Sequence, residues 1–502
     1  MFSQFIIKII GIFYKLYLTN KPGFGDRGNA ILTSGLQIYI MALTISSISL
    51  PNAISKLVSE KIAINDRNGA HRIFKISIAF FGFISFVISC IIFANSSHIA
   101  NAYLHIPEAK LVIMTLAPSI FVVSIASIVK GYFNGIEQMQ YTAKAQSIEQ
   151  LLKTIYTIIL VEIIGKISHN NTELMAAIVG GATSFASITT FIYLIKIYCK
   201  QKTIIWKQIS RTSKESIFRI LKGIIIVATP IAISSLLAVM TKTIDTFSIV
   251  KFTKNIVGEE QAIFEYGILT GKIEMLIALP YSFNIAFATA LIPTVSKLFK
   301  QRDYETVYKR IKFSLMVSIL IGLLSSSIMY IFSNEILMFL FPNASAGANM
   351  LKIHSISILI VVITQTMSGI LQGIGKATKE MIVLGIGLIC KIILNYLLVP
   401  RFGIIGAIYS TIVTQIIVMV LSILYVKKYL HIKIEKRKFI INPIIATTVM
   451  CMIFYIGQKY NSFCTTKINF LFSITLRYIY IFDINFKNEN HRKRRIGYNY
   501  RC

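Results

Sequence analysis

Apolar residues in this chain come in long blocks divided by short polar turns. The blocks are roughly 20 residues long, the length an α-helix needs to cross the hydrocarbon of a bilayer. The pattern predicts spans over 2–18, 31–50, 73–94, 111–129, 145–164, 174–195, 223–250, 262–293, 313–332, 350–370, 381–399, 403–426 and 439–457, with a weak last span over 468–484. The expected fold is therefore an all-α membrane protein of about 14 transmembrane helices. Pro230, Pro280 and Pro293 fall inside spans. Such breaks are tolerated where neighbouring helices or a wet cavity satisfy the freed backbone groups. The first span starts almost at Met1, carries Lys8 and Lys15, and is followed by no small-residue cleavage site. It reads as a span, not as a signal peptide.

Composition fits this picture, with 55% hydrophobic and 15% charged residues and a mean hydropathy of +0.68. A soluble domain carries about 25% charged residues. The formal net charge of +31 does not point to nucleic acid, because the basic residues sit in the turns between spans. The turns that follow even-numbered spans, together with Lys130, Lys144, Lys376 and Lys379, hold 29 Lys and Arg, whereas the opposite turns hold 10. By the positive-inside rule this places the N-terminus and the rich turns in the cytoplasm of a multi-pass cell-membrane protein. Cys90, Cys199, Cys390, Cys451, Cys464 and Cys502 show no paired spacing, so neither a zinc site nor a disulfide framework is expected.

The chain repeats itself. Ile31-Leu32-Thr33 recurs as Ile268-Leu269-Thr270, and Pro51 with Ser55-Lys56-Leu57 recurs as Pro293 with Ser296-Lys297-Leu298. Gly131, Gly135 and Lys153 recur as Gly369, Gly373 and Lys391. Six spans separate equivalents, an even number, so the repeats run parallel, and parallel repeats imply two bundles with the substrate between them. The expected division is a six-helix bundle over 1–200, a cytoplasmic linker over 201–222, a second six-helix bundle over 223–430, and accessory helices with a basic tail over 431–502. The first span is short against its counterpart at Gly223.

Charges inside spans are costly and normally face a bundle interior or a wet cavity. Lys242 and Asp245, then Lys272 and Glu274, lie on the two spans that open the second half. They are expected to form one wall of a polar central cavity. Lys272 and Glu274 are two positions apart, roughly 200° around a helix, so only one can face the cavity centre. The expectation is Lys272 in the cavity with Asp245 beside it, and Glu274 packed on a neighbouring helix. Glu149 and Lys153 are one helical turn apart and suit internal neutralisation. Glu265 and Lys15 suit snorkelling near the interface. The run from Gly23 to Gly28 matches G-x-G-x-x-G, but a dinucleotide site needs a βαβ unit and here spans flank it, so a tight turn is expected. The pairs Gly131/Gly135 and Gly369/Gly373 suit close helix packing or simple turns.

Several of these residues also carry a family resemblance. The run from Leu50 to Leu57, then Gly131-Tyr132-Phe133-Asn134-Gly135 with 143–150, Asp245 in its T-x-I-D-T setting, and 284–293 resemble the stage V sporulation protein B group of polysaccharide biosynthesis proteins. That group is similar to the MurJ lipid II flippases, within the multidrug/oligosaccharidyl-lipid/polysaccharide exporter superfamily. The resemblance spans roughly 1–460. It implies a non-enzymatic alternating-access flippase, without cofactor, for an undecaprenyl-linked saccharide, working among membrane lipids with or without a coupling cation. It also implies basic residues from helices one, two and eight that bind the lipid pyrophosphate; the matching positions are Lys15, Lys56 and Lys272. The alternative is a cation-coupled multidrug antiporter, which would need acidic residues to dominate the cavity. A membrane enzyme would need a carboxylate cluster in a sizeable loop, and none is present in the sequence.

Overall fold

A computed structural model describes residues 2–167, 171–205, 216–342 and 346–430. The expected spans over 439–457 and 468–484 and the basic tail lie outside the described residues. Twelve long helices follow the first twelve expected spans. They are α1 (Phe2–Asn20), α2 (Gly25–Ala63), α3 (Arg67–Ala94), α4 (Ala109–Gly135), α5 (Met139–Ile167) and α6 (Thr172–Ile205). Then come α7 (Ile217–Val257), α8 (Glu259–Phe299), α9 (Tyr304–Ile331), α10 (Ala348–Gly373), α11 (377–402) and α12 (403–429). Among the described residues nine helical runs are long and apolar enough to cross a membrane, with 377–429 counted as one.

Several boundaries depart from the apolar pattern for local reasons. The expected linker over 201–222 is shorter, because α6 runs to Ile205 and α7 starts at Ile217, where the Ser216 side chain accepts from the Arg219 amide. A hydroxyl cap of this kind satisfies an orphan helix donor and lets a helix begin ahead of its apolar stretch. Between α11 and α12 the chain turns at Gly403, whose φ of 58° and ψ of −139° no ordinary residue adopts cheaply. Helices α2 and α8 each contain a π turn, Thr44–Ile48 and Leu269–Ile273. A π turn rotates the residues that follow it around the axis, and such turns concentrate at functional sites.

The internal repeat is written in the backbone at a nearly constant offset. Asn65 and Arg302, 237 residues apart, take left-handed φ values of 58° and 59°. Asp66 and Asp303 follow them and cap α3 and α9. A Cβ on Gly131 would stand 2.9 Å from Pro51 Cα and one on Gly135 would stand 2.7 Å from Val58. Gly369 meets Ala288 and Gly373 meets Val295 in the same way. These glycines are helix-packing contacts of α4 on α2 and of α10 on α8. Pro51 therefore corresponds to Ala288 rather than to Pro293.

Helix partners match across the repeat: α2, α3 and α6 pack on α4 as α8, α9 and the 377–429 rod pack on α10. The two sets share one core at the side where α2 and α8 begin, called here the sparse side. It joins Leu18, Ile31 and Val112 to Ile249, Tyr266 and Phe341. Toward the opposite, basic side the cores separate. Val58, Phe74 and Phe133 form one, joined among the described residues by Ile220, Ile224, Val227 and Ala228 of α7. Val295, Ile311 and Leu371 form the other. The space between the bundles is thus sealed by packing on the sparse side and parts toward the basic side.

Candidate functional site

Charged residues lie between the bundles in two layers. The first closes the sparse side. Helix α8 comes close to α2 because Gly267 and Gly271 lack side chains; a Cβ on Gly271 would stand 2.5 Å from Asn29 Nδ2. The approach brings Lys272 Nζ to 2.9 Å from Asp26 Oδ2, with 0% and 1% of the two side chains exposed. The Phe341 ring centre is 6.0 Å from the same ammonium. Beside this pair Arg27 bridges the bundles, donating to Glu260 of α8 and to Glu108 just before α4, each at 2.9 Å. Asn20 at the end of α1 donates to the Leu340 carbonyl at 2.8 Å.

The second layer is deeper. Lys242 of α7 pairs with Glu274 of α8 at 2.9 Å, and 63% and 29% of these side chains are exposed. Exposure of ionised groups on such apolar helices requires a wet cavity, since lipid could not solvate them. Glu274 is also within electrostatic reach of Lys391 and His354. From the first bundle, Lys15 of α1 is within reach of Glu274 and Lys153. Asp245, three residues on from Lys242, accepts from Lys391 Nζ at 2.8 Å and from Asn395 Nδ2 at 2.7 Å. Lys153 Nζ stands 5.3 Å from the Tyr14 ring centre. Glu149 is within electrostatic reach of Lys153 and pairs with Lys130, so five lysines face three carboxylates. All three carboxylates have a lysine partner, whereas Lys15 and Lys153 form no ion pair among the described residues.

Most of the residues singled out from the sequence converge here, with corrections. Lys272 does not face the cavity beside Asp245; it is buried against Asp26. Glu274 is hydrogen-bonded to Lys242 of the neighbouring α7 and keeps 29% of its side chain exposed. The departure from expectation is the burial of Lys272. The reason is the glycine-lined approach of α8 to α2, which the apolar pattern does not show. Lys242 and Asp245 share a helix and take different partners. Glu149 pairs with Lys130 at 3.4 Å and accepts from Ser187, while Lys153 stacks on Tyr14. Lys56 is exposed near the basic end of α2. It lies 19 residues beyond Gln37, whose amide donates to Thr243 next to Lys242. That is roughly 28 Å along a helix, so Lys56 stands apart from the cluster.

Two participants went unrecognised in the sequence. Asp26 lay inside the glycine motif, and the Gly267-x-x-x-Gly271 spacing ahead of Lys272 was the available signal for its close approach. His354, buried and 3.0 Å from Ser357 Oγ, offered none. The motif itself is the turn into α2 and that helix's first turn, with Gly23 and Gly25 at φ of 80° and 50°.

Known proteins share this architecture. Residues 1–299 match the polysaccharide biosynthesis protein family, and 230–397 match the MatE family. Stage V sporulation protein B of Bacillus subtilis (strain 168) is 23% identical over 430 residues, 85% of this chain and 82% of that protein. The lipid II flippase MurJ of the same organism is 26% identical over 452 residues, covering 85% and 81%. A solved structure of lipid II flippase MurJ, in an inward closed conformation, superposes with a TM-score of 0.72 at 17% identity, over 97% of this chain and 98% of that one, a likeness of fold. With more than half of its length matched, this multi-pass membrane protein belongs to the polysaccharide biosynthesis protein family.

Proposed function

We propose that the protein is an alternating-access flippase that carries an undecaprenyl-linked saccharide, lipid II or a polysaccharide precursor, across the cytoplasmic membrane. The observation that carries this is the surplus of Lys15 and Lys153 in a cluster whose carboxylates are already paired. A lipid-linked pyrophosphate needs a cationic, wet site for its head while its tail stays in lipid, and lysine supplies mobile point charges for phosphate. In this scheme Lys15 and Lys153 hold the head, and Lys242 exchanges Glu274 for it. Lys56 at the basic end meets the head on entry. Among the described residues a cationic drug would find no unpaired carboxylate in the same place, which disfavours the antiporter alternative.

The carrier should move an undecaprenyl-pyrophosphate-linked sugar between the leaflets of proteoliposomes. Its expression should restore growth to a bacterium depleted of its lipid II flippase. Export of a cationic dye with no movement of the lipid would overturn the assignment.

The basic side is assigned to the cytoplasm from the charge imbalance of the turns. Glu60 is exposed on that side. In a background free of the six native cysteines, Glu60→Cys should react with an impermeant maleimide only after the cells are opened. Labelling in intact cells would reverse the orientation.

A further inference from the structure

The Asp245–Lys391 pair is held by more than its two charges. The Lys391 side chain is 3% exposed. All three of its N–H donors meet oxygen: Asp245 Oδ1 at 2.8 Å, Thr411 Oγ1 at 2.6 Å and the Ala407 carbonyl at 3.4 Å. The ligands come from α7 and α12, and the ammonium comes from α11. Asn395, one turn along α11, holds the same carboxylate oxygen and also bonds Ser248 Oγ at 2.8 Å. A carboxylate, a hydroxyl and a backbone carbonyl around one point are the ligand types that replace the water shell of an alkali cation inside membrane proteins.

We propose that Lys391 is a built-in monovalent cation, its ammonium permanently filling an oxygen cage that would otherwise take dissolved sodium or potassium. A tethered cation is dehydrated once, on folding, and cannot leave. It keeps Asp245 neutralised in every conformation, so the second bundle needs no alkali ion from either side of the membrane. The inference does not depend on which molecule is carried, and its test reads ion binding rather than transport.

The melting midpoint of the purified full-length protein is to be measured in sodium, potassium and choline chloride at equal ionic strength. The wild type should melt at the same temperature in all three. Lys391→Ala should melt several degrees lower in choline and recover, saturably, in sodium or potassium, because a ligand that binds only the folded state stabilises it. Asp245→Asn/Lys391→Ala removes the cage's charge together with the lysine. It should fold and show no preference among the salts. A wild type that melts higher in sodium or potassium than in choline would overturn the proposal, since a dissolved ion would then have its own site. Equal loss of Lys391→Ala in all three salts, with the double variant folded, would overturn it as well, since the cage would then not admit an ion.

Discussion

Replacing Lys272 with methionine should destabilise the protein by about 3–5 kcal/mol, the usual cost of stranding one member of a buried ion pair. Asp26 would be left 3% exposed, its Oδ2 stripped of its cation. Its desolvation would then be offset only in part, by the first-turn dipole of α2 and by Lys15 at longer range. The loss should appear as a sharp fall in membrane abundance and in melting temperature. Neutralising both partners, as Asp26→Asn/Lys272→Met, removes the stranded charge and should recover most of the abundance. The coupling in this double-mutant cycle is the deciding quantity. If the single and double variants melt at the same temperature, the pair does not hold the seam. The surface bridges of Arg27 should matter far less, because Glu260 is 83% exposed and exposed pairs contribute little.

The second large effect concerns transport without stability. Lys15→Ala and Lys153→Ala should each lower flipping of a pyrophosphate-linked lipid by about ten- to hundredfold. This follows from roughly 1.5–3 kcal/mol for a hydrogen bond to a charged group and 1.4 kcal/mol per decade of affinity. Neither lysine has an ion-pair partner among the described residues, so no carboxylate is stranded by removing it, and abundance should stay near wild type. Lys153→Arg should retain more transport than Lys153→Ala, because the charge persists. Lys56→Ala should show a smaller loss confined to low substrate concentration, as expected of a residue exposed at the cavity mouth. Full flipping by the Lys15→Ala/Lys153→Ala double variant would remove both residues from the site.

Much of this protein is legible from its residues in order. Spacing of apolar blocks locates the first twelve helices, because a bilayer-length helix must be apolar nearly throughout. Repeated residues such as Gly131/Gly135 and Gly369/Gly373 reveal the duplication, because the same packing contact demands the same missing side chain. The identity of the charged cluster is legible too, since ionisable residues within spans are rare and few positions compete for the role. Partnership is not legible. Lys272 and Glu274 stand two residues apart, and periodicity says only that they point apart. Which one meets water depends on how closely α8 approaches α2, set by Gly267 against Asp26 and Gly271 against Asn29, 241 and 242 residues earlier in the chain. Lys391 and Asp245 likewise meet across 146 residues. Sequence alone determines which residues must leave lipid, because that is a property of each side chain and its depth. Only the tertiary structure decides where each charge goes, because Coulomb attraction and desolvation act over a few ångströms, and those distances exist only once the helices have packed.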